Sequence, residues 1–330
     1  MDNRSVMESL SPIKDKPLFD SNEHSSAMNE LLKELAQRAS QLATHEGMTS
    51  TLLTGLQLFR SNRPTGITPS IYEPALCIIA QGQKQARLGD EVYTYNPSNY
   101  LVAAVDLPVG GQVIEATPER PYLCIRLGLK PHHISEMLLE YPQLLRPRQN
   151  LKRGLFVSQA NYQMLDAVLR LMRLLDTPED LPILAPLIER EILYRLLQDE
   201  QAVILQQTVR TDSHAQHIAR VITAIRKDYR KNWRVEELAH LACMSTSALH
   251  AHFKSVTNMT PLQFQKQLRL QEARRLLFSE NLDAATASHR VGYESPSQFN
   301  REYHRLFGLP PVRDLARLKT AEPSLAMRVN

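Results

Sequence analysis

Polar side chains recur at helical spacing in two segments of the chain that lie about fifty residues apart. In the second segment, Gln298 and Arg301 are three residues apart and therefore share one face of a helix. A glutamine pairs with N6 and N7 of adenine, and an arginine pairs with O6 and N7 of guanine. The sequence thus predicts side chains that contact base edges in the DNA major groove. The predicted base-contacting residues are Ser247, His250, Ser297, Gln298 and Arg301.

A second group of polar residues surrounds the first and suits contact with phosphate. Ser245 and Ser295 are each placed to cap the start of a helix, where free backbone N–H groups attract anions. Such contacts fix the position of a protein on the duplex without reading its sequence. The predicted phosphate contacts are Ser245, Thr246, Lys254, Ser295 and Arg305.

The two segments, residues 235–254 and 285–304, are versions of one another. Each has a short apolar-periodic stretch, a turn, a serine and a second amphipathic stretch, which is the layout of a helix-turn-helix. A generic helical hairpin has the same layout, but its duplication in a basic region favours two DNA-binding elements. Equivalent positions are Ser245 and Ser295, Leu249 and Phe299, and Phe253 and Tyr303.

The C-terminal region around these segments is basic and helical. Residues 205–330 hold 19 Lys and Arg against 11 Asp and Glu, a net charge of +8, whereas the whole chain carries +4. A positive domain binds phosphate backbones by releasing counterions. A helix predicted over residues 261–278 separates the two segments. We expect it to hold them about one DNA turn, roughly 34 Å, apart.

The first half of the chain predicts a β-rich domain, so that the fold class is α+β. Between residues 52 and 129, short apolar runs alternate with turn signals, as in a sandwich or barrel, and residues 84–95 predict a hairpin. Helices are predicted over residues 28–45, 132–139, 159–175 and 182–198. We expect the apolar stripes of the last two helices to pack on the barrel, or in part on a second subunit. Those stripes are Leu165, Val168, Leu169, Met172 and Leu175, and Leu187, Ile188, Ile192 and Leu196.

Histidine usage gives no sign of a metal site in the barrel. The sequence has no histidine between residues 49 and 130, so a metal centre of the cupin kind is not expected. His214 and His217 could bind a metal together, although a solvated surface explains them more simply. The sequence also lacks the motifs of nucleophile elbows, phosphate loops and paired catalytic carboxylates. We therefore expect neither a metal nor a cofactor.

The three cysteines form no Cys-x-x-Cys pair, which argues against a zinc or disulfide framework. Cys77 and Cys124 fall in predicted strands, as small core hydrophobes or as sensors of oxidants or electrophiles. Cys243 falls in the first helix-turn-helix, and we expect it to pack between the two helices. The cysteine usage, a polar N-terminus and the lack of a run of about 18 apolar residues favour a cytoplasmic location without membrane contact.

The C-terminal region resembles the AraC/XylS transcription regulators over about residues 221–314. The similarity lies in Glu237-Leu-Ala, Met244-Ser, Thr260-Pro-Leu-Gln-Phe, the run from Arg269 to Leu277, Val291-Gly-Tyr-Glu-Ser and Leu306-Phe-Gly-Leu-Pro-Pro. Residues 72–84, 88–90 and 100–108 are similar to the N-terminal domain of AraC-type regulators. The resemblance implies a cupin-like β-barrel with added helices that binds a small effector and forms a homodimer. It also allows contact with RNA polymerase.

Together these observations predict a sequence-specific DNA-binding transcription regulator under the control of a small effector. Two alternatives stay open: a barrel enzyme that acts on a small metabolite, and an architectural DNA binder with salt-sensitive binding and little sequence preference. The predicted parts are a disordered leader (1–25), a cupin-like effector-binding and dimerisation domain (26–205), a linker (206–216), a DNA-binding domain (217–319) and a tail (320–330).

Overall fold

The computed structural model describes residues 21–147, 150–211 and 213–321, with side chains described between residues 26 and 317. Residues 1–20 of the predicted leader and 322–330 of the predicted tail lie outside the described residues. The first helix, α1 (Ser21–Leu42), begins inside the predicted leader. Across the described ranges, no helix is both long enough and apolar enough to traverse a bilayer.

Two antiparallel sheets form the N-terminal part of the described chain. Their strands are β1 (Gly47–Ser50), β2 (Leu56–Ser61), β3 (Thr68–Tyr72), β4 (Ala75–Gln81), β5 (Gln83–Leu88), β6 (Glu91–Tyr95), β7 (Asn99–Ala103), β8 (Leu107–Glu115), β9 (Tyr122–Gly128) and β10 (Leu155–Gln159). The order is β1-β2-β9-β4-β7-β10 in one sheet and β3-β8-β5-β6 in the other. The predicted hairpin is confirmed as β5–β6.

Strand β4 shows how the six-stranded sheet is buried on both faces. Alternate side chains of a strand point to opposite faces. Leu76 and Ile78 therefore join a core beneath helices, whereas Ile79 packs with Leu88 and Val109 of the facing sheet. The two sheets thus enclose an inner core between them, and the predicted α+β class with a sheet-rich N-terminal domain is confirmed; the described strands form two separate sheets.

Helices cover the outer face of the six-stranded sheet. They are α1, α2 (Pro131–Glu140), α3 (Tyr162–Arg173), α4 (Leu181–Gln198) and α5 (Val203–Val209). The predicted stripe of α3 is buried throughout. In the predicted stripe of α4, Ile192 and Leu196 are buried, whereas Leu187 is 61% exposed and does not pack on the sheet. The buried stripe of α4 runs through Leu181, Ala185, Ile192 and Leu196, and Leu187 falls beside it.

The segment predicted as a linker, residues 206–216, is largely helical. Its first residues complete α5, and α6 (His214–Lys227) begins at His214. Gln206 is buried because its amide is satisfied: Nε2 donates to the carbonyl of Leu144 at 2.9 Å, and Oε1 accepts the N–H of Arg146 at 3.0 Å. A polar residue that contributed to the linker prediction is therefore an anchor between two parts of the N-terminal domain.

The C-terminal part of the described chain is entirely helical. After α6 come α7 (Val235–Leu241), α8 (Thr246–Thr257), α9 (Pro261–Ser279), α10 (Ala284–Arg290), α11 (Pro296–Phe307) and α12 (Pro311–Ala321). Helix α9 confirms the helix predicted between the repeats. It starts sharply because Thr260 and Gln263 cap it reciprocally and Pro261 occupies its first turn.

Candidate nucleic-acid interface

The first helix-turn-helix consists of α7 and α8, and α8 is its recognition helix. Leu249 and Phe253, one turn apart, are fully buried, and the rings of Phe253 and Phe264 lie 5.5 Å apart in an edge-to-face arrangement. Ser245 caps α8 as predicted, because its Oγ accepts the N–H of Ala248 at 3.2 Å. The polar face of the recognition helix is therefore turned away from the core.

The second helix-turn-helix consists of α10 and α11, with α11 as its recognition helix. Phe299 and Tyr303 are buried at the positions that correspond to Leu249 and Phe253. Ser295 Oγ accepts the N–H of Gln298 at 3.4 Å, and a proline occupies the first turn. The two elements thus share one local construction, as the repeat in the sequence predicted.

The turns of the two elements have the same backbone geometry, although a shift of fifty residues does not align the residues that form them. Cys243 and Gly292 both have a positive φ, 53° and 89°, and each donates its N–H to a helical histidine carbonyl at 3.0 Å. One additional residue, Glu294, precedes the cap of the second recognition helix. The expectation that Cys243 packs between its helices is wrong: it is exposed at the apex of the turn.

The predicted DNA-contacting residues all lie on accessible surface. Nine of the ten are exposed and His250 is half-buried. The first helix-turn-helix presents Ser245, Thr246, Ser247, His250 and Lys254; the second presents Ser295, Ser297, Gln298, Arg301 and Arg305. Each set follows the solvent face of one recognition helix. Their contact with DNA stays a prediction.

One carboxylate shapes the polar face of the second recognition helix. Glu302 accepts hydrogen bonds from Lys266 at 2.9 Å, from Tyr293 at 2.8 Å and from Gln298 at 3.2 Å. Burial acts to raise the pKa of Glu302, but the hydrogen bonds, that from Lys266 first, lower it overall. The carboxylate is therefore ionised at neutral pH. It holds the side-chain amide of Gln298 beside Glu302, one helical turn further along α11.

Arg269 of α9 joins the turn of the second helix-turn-helix to the segment between α6 and α7, a role that the sequence analysis missed. Its buried guanidinium donates to the carbonyls of Tyr229 at 2.7 Å, Arg230 at 2.8 Å and Gly292 at 2.9 Å. Burial lowers the pKa of Arg269. The signal in the sequence was an arginine between Leu268 and Leu270, on a helix whose neighbouring positions are apolar.

A second buried ionic contact was also missed. Asp314 of α12 is fully buried and accepts from Arg274 Nε at 2.7 Å and from the Tyr303 hydroxyl at 2.9 Å. This carboxylate ties the second recognition helix to both α9 and α12. Its spacing of 40 residues from Arg274 and 11 from Tyr303 gave no local pattern that could have indicated it.

The N-terminal domain contacts the C-terminal end of the first recognition helix. Arg153 binds Glu91 in a salt bridge at 2.6 Å and donates to the carbonyl of Ser255 at 2.6 Å. Asn258, which ends α8 in a left-handed conformation, donates to the carbonyl of Leu88 at 3.0 Å. The β5–β6 hairpin and the first helix-turn-helix are therefore in direct contact.

The histidines considered as a metal pair have other surroundings. His214 stacks on His252 with ring centroids 4.2 Å apart. The Nδ1 atom of His217 is buried and has no hydrogen-bond partner among the described residues. Within those residues, no group of three or more His, Cys, Asp or Glu side chains is arranged to hold a metal ion.

The chain joins a two-sheet N-terminal domain to paired helix-turn-helix elements, an arrangement typical of transcription regulators. Residues 52–204 match the model of the AraC-type transcriptional regulator N-terminus, and residues 238–317 match that of a helix-turn-helix domain. The chain belongs to the AraC family of transcription regulators, which confirms the predicted resemblance.

Individual relatives match only part of their length. An AraC-like transcription regulator of Streptomyces lividans is 34% identical over 28% of this chain and 31% of its own, and the RCS-specific transcriptional activator RclR of Escherichia coli is 30% identical over 41% and 42%. The chain thus spans less than half the length of these regulators. Unsaturated fatty acid-bound ToxT of Vibrio cholerae shares the fold with a TM-score of 0.51, at 12% identity over 79% of this chain and 94% of ToxT.

Proposed function

We propose that the chain recognises a specific DNA sequence by inserting α8 and α11 into two successive major grooves. The observation that carries this proposal is the accessible polar face of each recognition helix, above a buried apolar face and a capped N-terminus. We assign base contacts to Ser247, His250, Ser297, Gln298 and Arg301. Phosphate contacts are assigned to Ser245, Thr246, Lys254, Ser295 and Arg305.

The test compares two charge removals on DNA selected by the wild-type protein from a random pool. Arg301→Ala should lose about 1–3 kcal/mol of discrimination at one base pair. Lys254→Ala should weaken binding to all sequences alike and reduce the salt slope by about 1. Lys33→Ala, on exposed α1, is the matched control and should change neither.

Three outcomes would contradict this assignment. Arg301→Ala could weaken all sequences uniformly, which would remove that residue from base readout. The pool could yield no enriched sequence at low salt, which would remove DNA recognition altogether. Strong, salt-sensitive binding without sequence preference would favour an architectural protein.

We also propose that residues 26–205 form an effector-binding and dimerisation domain, and that residues 217–319 form the DNA-binding domain. Support for a ligand comes from the inner core of the sandwich, where the hydroxyls of Tyr72 and Tyr122 are buried without a hydrogen-bond partner among the described residues. ToxT, which has the same fold, has been solved with an unsaturated fatty acid.

An effector must bind the two states of the regulator with different affinity. A panel of small metabolites, screened by thermal unfolding of the full chain, should contain compounds that stabilise it and also change its affinity for the selected DNA. A compound that is instead consumed catalytically would support the enzyme alternative. The proposed place of action is the cytoplasm, where promoter DNA and RNA polymerase are found.

An exposed apolar surface supports the proposed homodimer. Leu139 of α2 is 81% exposed, and Ile183 and Leu187 of α4 are 71% and 61% exposed. Arg190 of α4 donates a hydrogen bond to Glu140 of α2, which holds the two helices side by side. Burial of such a surface against a second copy would remove it from water. The same surface could instead contact RNA polymerase.

Light scattering on the double variant Ile183→Glu/Leu187→Glu separates these partners. The wild type should be a dimer and the variant a monomer, whereas the control Leu52→Glu, at a position 70% exposed, should stay dimeric. A dimeric double variant would exclude this surface as the dimer interface. A monomeric wild type that loses promoter activation on the same substitution would favour RNA polymerase.

A further inference from the structure

Two cysteines of the sandwich lie at diagonal positions on neighbouring strands and in the same core. Cys77 of β4 pairs with Arg126 of β9, and Cys124 of β9 pairs with Ile79 of β4, so the cysteines are diagonal neighbours. Both side chains belong to the core between the sheets. Cys77 is only half-buried, which leaves the pair within reach of a small reagent.

A lysine of the facing sheet brings a positive charge to these thiols. Lys84 Nζ lies 5.2 Å from the ring centroid of Phe59 and 5.5 Å from that of Tyr72. Within the described residues, no carboxylate lies at salt-bridge distance from it. The hydrogen bond from Cys77, together with the charge of Lys84, lowers the pKa of the Cys124 thiol to about 7 against the effect of burial. The same hydrogen bond and burial raise the pKa of Cys77.

From this arrangement we infer that Cys77 and Cys124 are a redox-sensing dithiol, which a small hydroperoxide converts into a disulfide inside the sandwich. Nothing in the proposed effector binding requires this chemistry. The two thiols have the features that reactive cysteines share: a nearby cation, limited access and a partner thiol that can resolve the first oxidation product.

The reaction balances without any further reagent. The Cys124 thiolate attacks the terminal oxygen of the hydroperoxide; the S–O bond forms as the O–O bond breaks, and the alkoxide leaves as an alcohol after it takes a proton. Cys77 then attacks the Cys124 sulfur. The S–S bond forms, the S–O bond breaks, and hydroxide leaves as water with the proton of Cys77. The two cysteines are oxidised by two electrons and the peroxide is reduced by two.

Disulfide formation must move the strands. Diagonal neighbours in an antiparallel pair have Cα atoms roughly 7–8 Å apart, whereas a disulfide joins Cα atoms about 4.4–6.8 Å apart. Closing the bond therefore draws β4 and β9 together or increases their local twist. Such a change alters the width of the inner core in which Lys84 and the aromatic rings lie.

Two contacts connect this core to the DNA-binding part. Strand β5, which carries Lys84, ends at the hairpin that binds Asn258 at the end of α8. Strand β3, which carries Tyr72, contacts α9. We expect oxidation to change the position of the first recognition helix, α8, more than the position of the second, α11. This consequence rests on the proposed DNA binding, whereas the thiol chemistry does not.

The chemistry is tested by counting thiols in the full chain after treatment with hydrogen peroxide. The protein has three free cysteines. Wild type should lose two thiols, regain them with a dithiol reductant, and yield a peptide in which Cys77 is linked to Cys124. Cys243→Ser should lose the same two. Cys77→Ser should stop at a sulfenic acid on Cys124, which a cyclic 1,3-diketone traps.

A separate variant tests the role of Lys84. Lys84→Met should slow the loss of thiols severalfold at neutral pH, because removal of the positive charge disfavours the Cys124 thiolate. Lys33→Met, at an exposed position, should react at the wild-type rate. Oxidation confined to Cys243, or irreversible oxidation of Cys124 with Cys77 still reduced, would overturn the inference.

Measurements of DNA affinity distinguish a failure of this inference from a failure of the proposed function. The affinity for the selected DNA should differ by at least about fivefold between the reduced and disulfide forms, and the Cys77→Ser/Cys124→Ser double variant should not respond. A disulfide that forms without changing affinity would overturn the sensing role. If no form binds DNA specifically while the disulfide still forms, the proposed function fails and the thiol chemistry stands.

Discussion

The two helix-turn-helix elements share a local layout but differ in what holds them. The first recognition helix is fixed at its C-terminal end by the N-terminal domain, through Arg153 and Asn258. The second is fixed within the DNA-binding part, where Asp314 binds Arg274 and Tyr303. A repeat in sequence has therefore been placed in two different tertiary settings.

Their hydrophobic cores differ in the same way. Phe253 belongs to a core that continues into the sandwich, whereas Phe299 and Tyr303 belong to a separate core with α9. A change in the N-terminal domain therefore reaches the first helix-turn-helix directly. It reaches the second through α9, where Arg269 contacts both the segment before α7 and the turn of the second element. Similar elements can thus respond differently to one signal.

The largest expected effect comes from removing the carboxylate that is specific to the second element. Asp314→Ala leaves Arg274 buried without its partner, which should cost about 3–5 kcal/mol. Urea unfolding of the full chain gives the loss, and hydrogen exchange locates it. Helix α11 should lose protection while α8 keeps it. Equal losses in the two helices would show that the elements are not held independently.

A matched surface pair controls for the loss of a salt bridge. Glu280 pairs with Arg290, and both side chains are 40% or more exposed. Glu280→Ala should therefore cost less than about 1 kcal/mol.

The turn of the second element gives the next largest effect. Gly292 has φ +89°, and an added Cβ would lie 2.7 Å from the carbonyl oxygen of Arg230. Gly292→Ala should cost about 2 kcal/mol or more, because backbone strain and a backbone clash add. Gly308→Ala, at φ +75° with no atom within 4 Å, should cost only about 1 kcal/mol. Similar losses for the two variants, measured by thermal unfolding, would argue against the clash.

A smaller effect tests the contact that is specific to the first element. Asn258→Gly keeps the left-handed end of α8 but removes the hydrogen bonds to Leu88 and Asp90. We expect a loss of about 0.5–1.5 kcal/mol. A double-mutant cycle with Asp90→Ala should give a coupling energy of similar size. Gly308→Asn, the reverse change at the end of α11, should couple to nothing in the N-terminal domain.

The smallest expected difference lies in the two caps. Ser245→Ala removes a hydrogen bond of 3.2 Å, and Ser295→Ala removes one of 3.4 Å. A capping serine contributes about 0.5–2 kcal/mol, and we expect Ser245 to lie above Ser295 in that range. Thermal unfolding of the two variants checks the order. A larger loss for Ser295→Ala would show that the cap geometry does not set the difference.

Local patterns predicted most of the individual elements. The hairpin β5–β6, the connecting helix α9 and the buried stripe of α3 all follow from periodicity and turn residues within one segment. The solvent exposure of Gln298 and Arg301 follows in the same way, because Phe299 and Tyr303 define the opposite face of the helix. Two overlapping apolar stripes fit α4, and packing on the sheet buries the one that runs through Ala185, which leaves Leu187 exposed.

The sequence by itself determined the repeated helix-turn-helix, its caps, its charge and the α+β class, because each depends on residues that are near one another in the chain. Only the tertiary structure decided which buried polar groups meet. Asp314 accepts a hydrogen bond from Arg274, which is 40 residues away in the chain, and Asn258 donates one to the carbonyl of Leu88, which is 170 residues away. Cys77 and Cys124 become neighbours because β4 and β9 are adjacent in the sheet. Strand order and helix packing set these contacts through the burial of apolar surface over the whole chain, which no local pattern records.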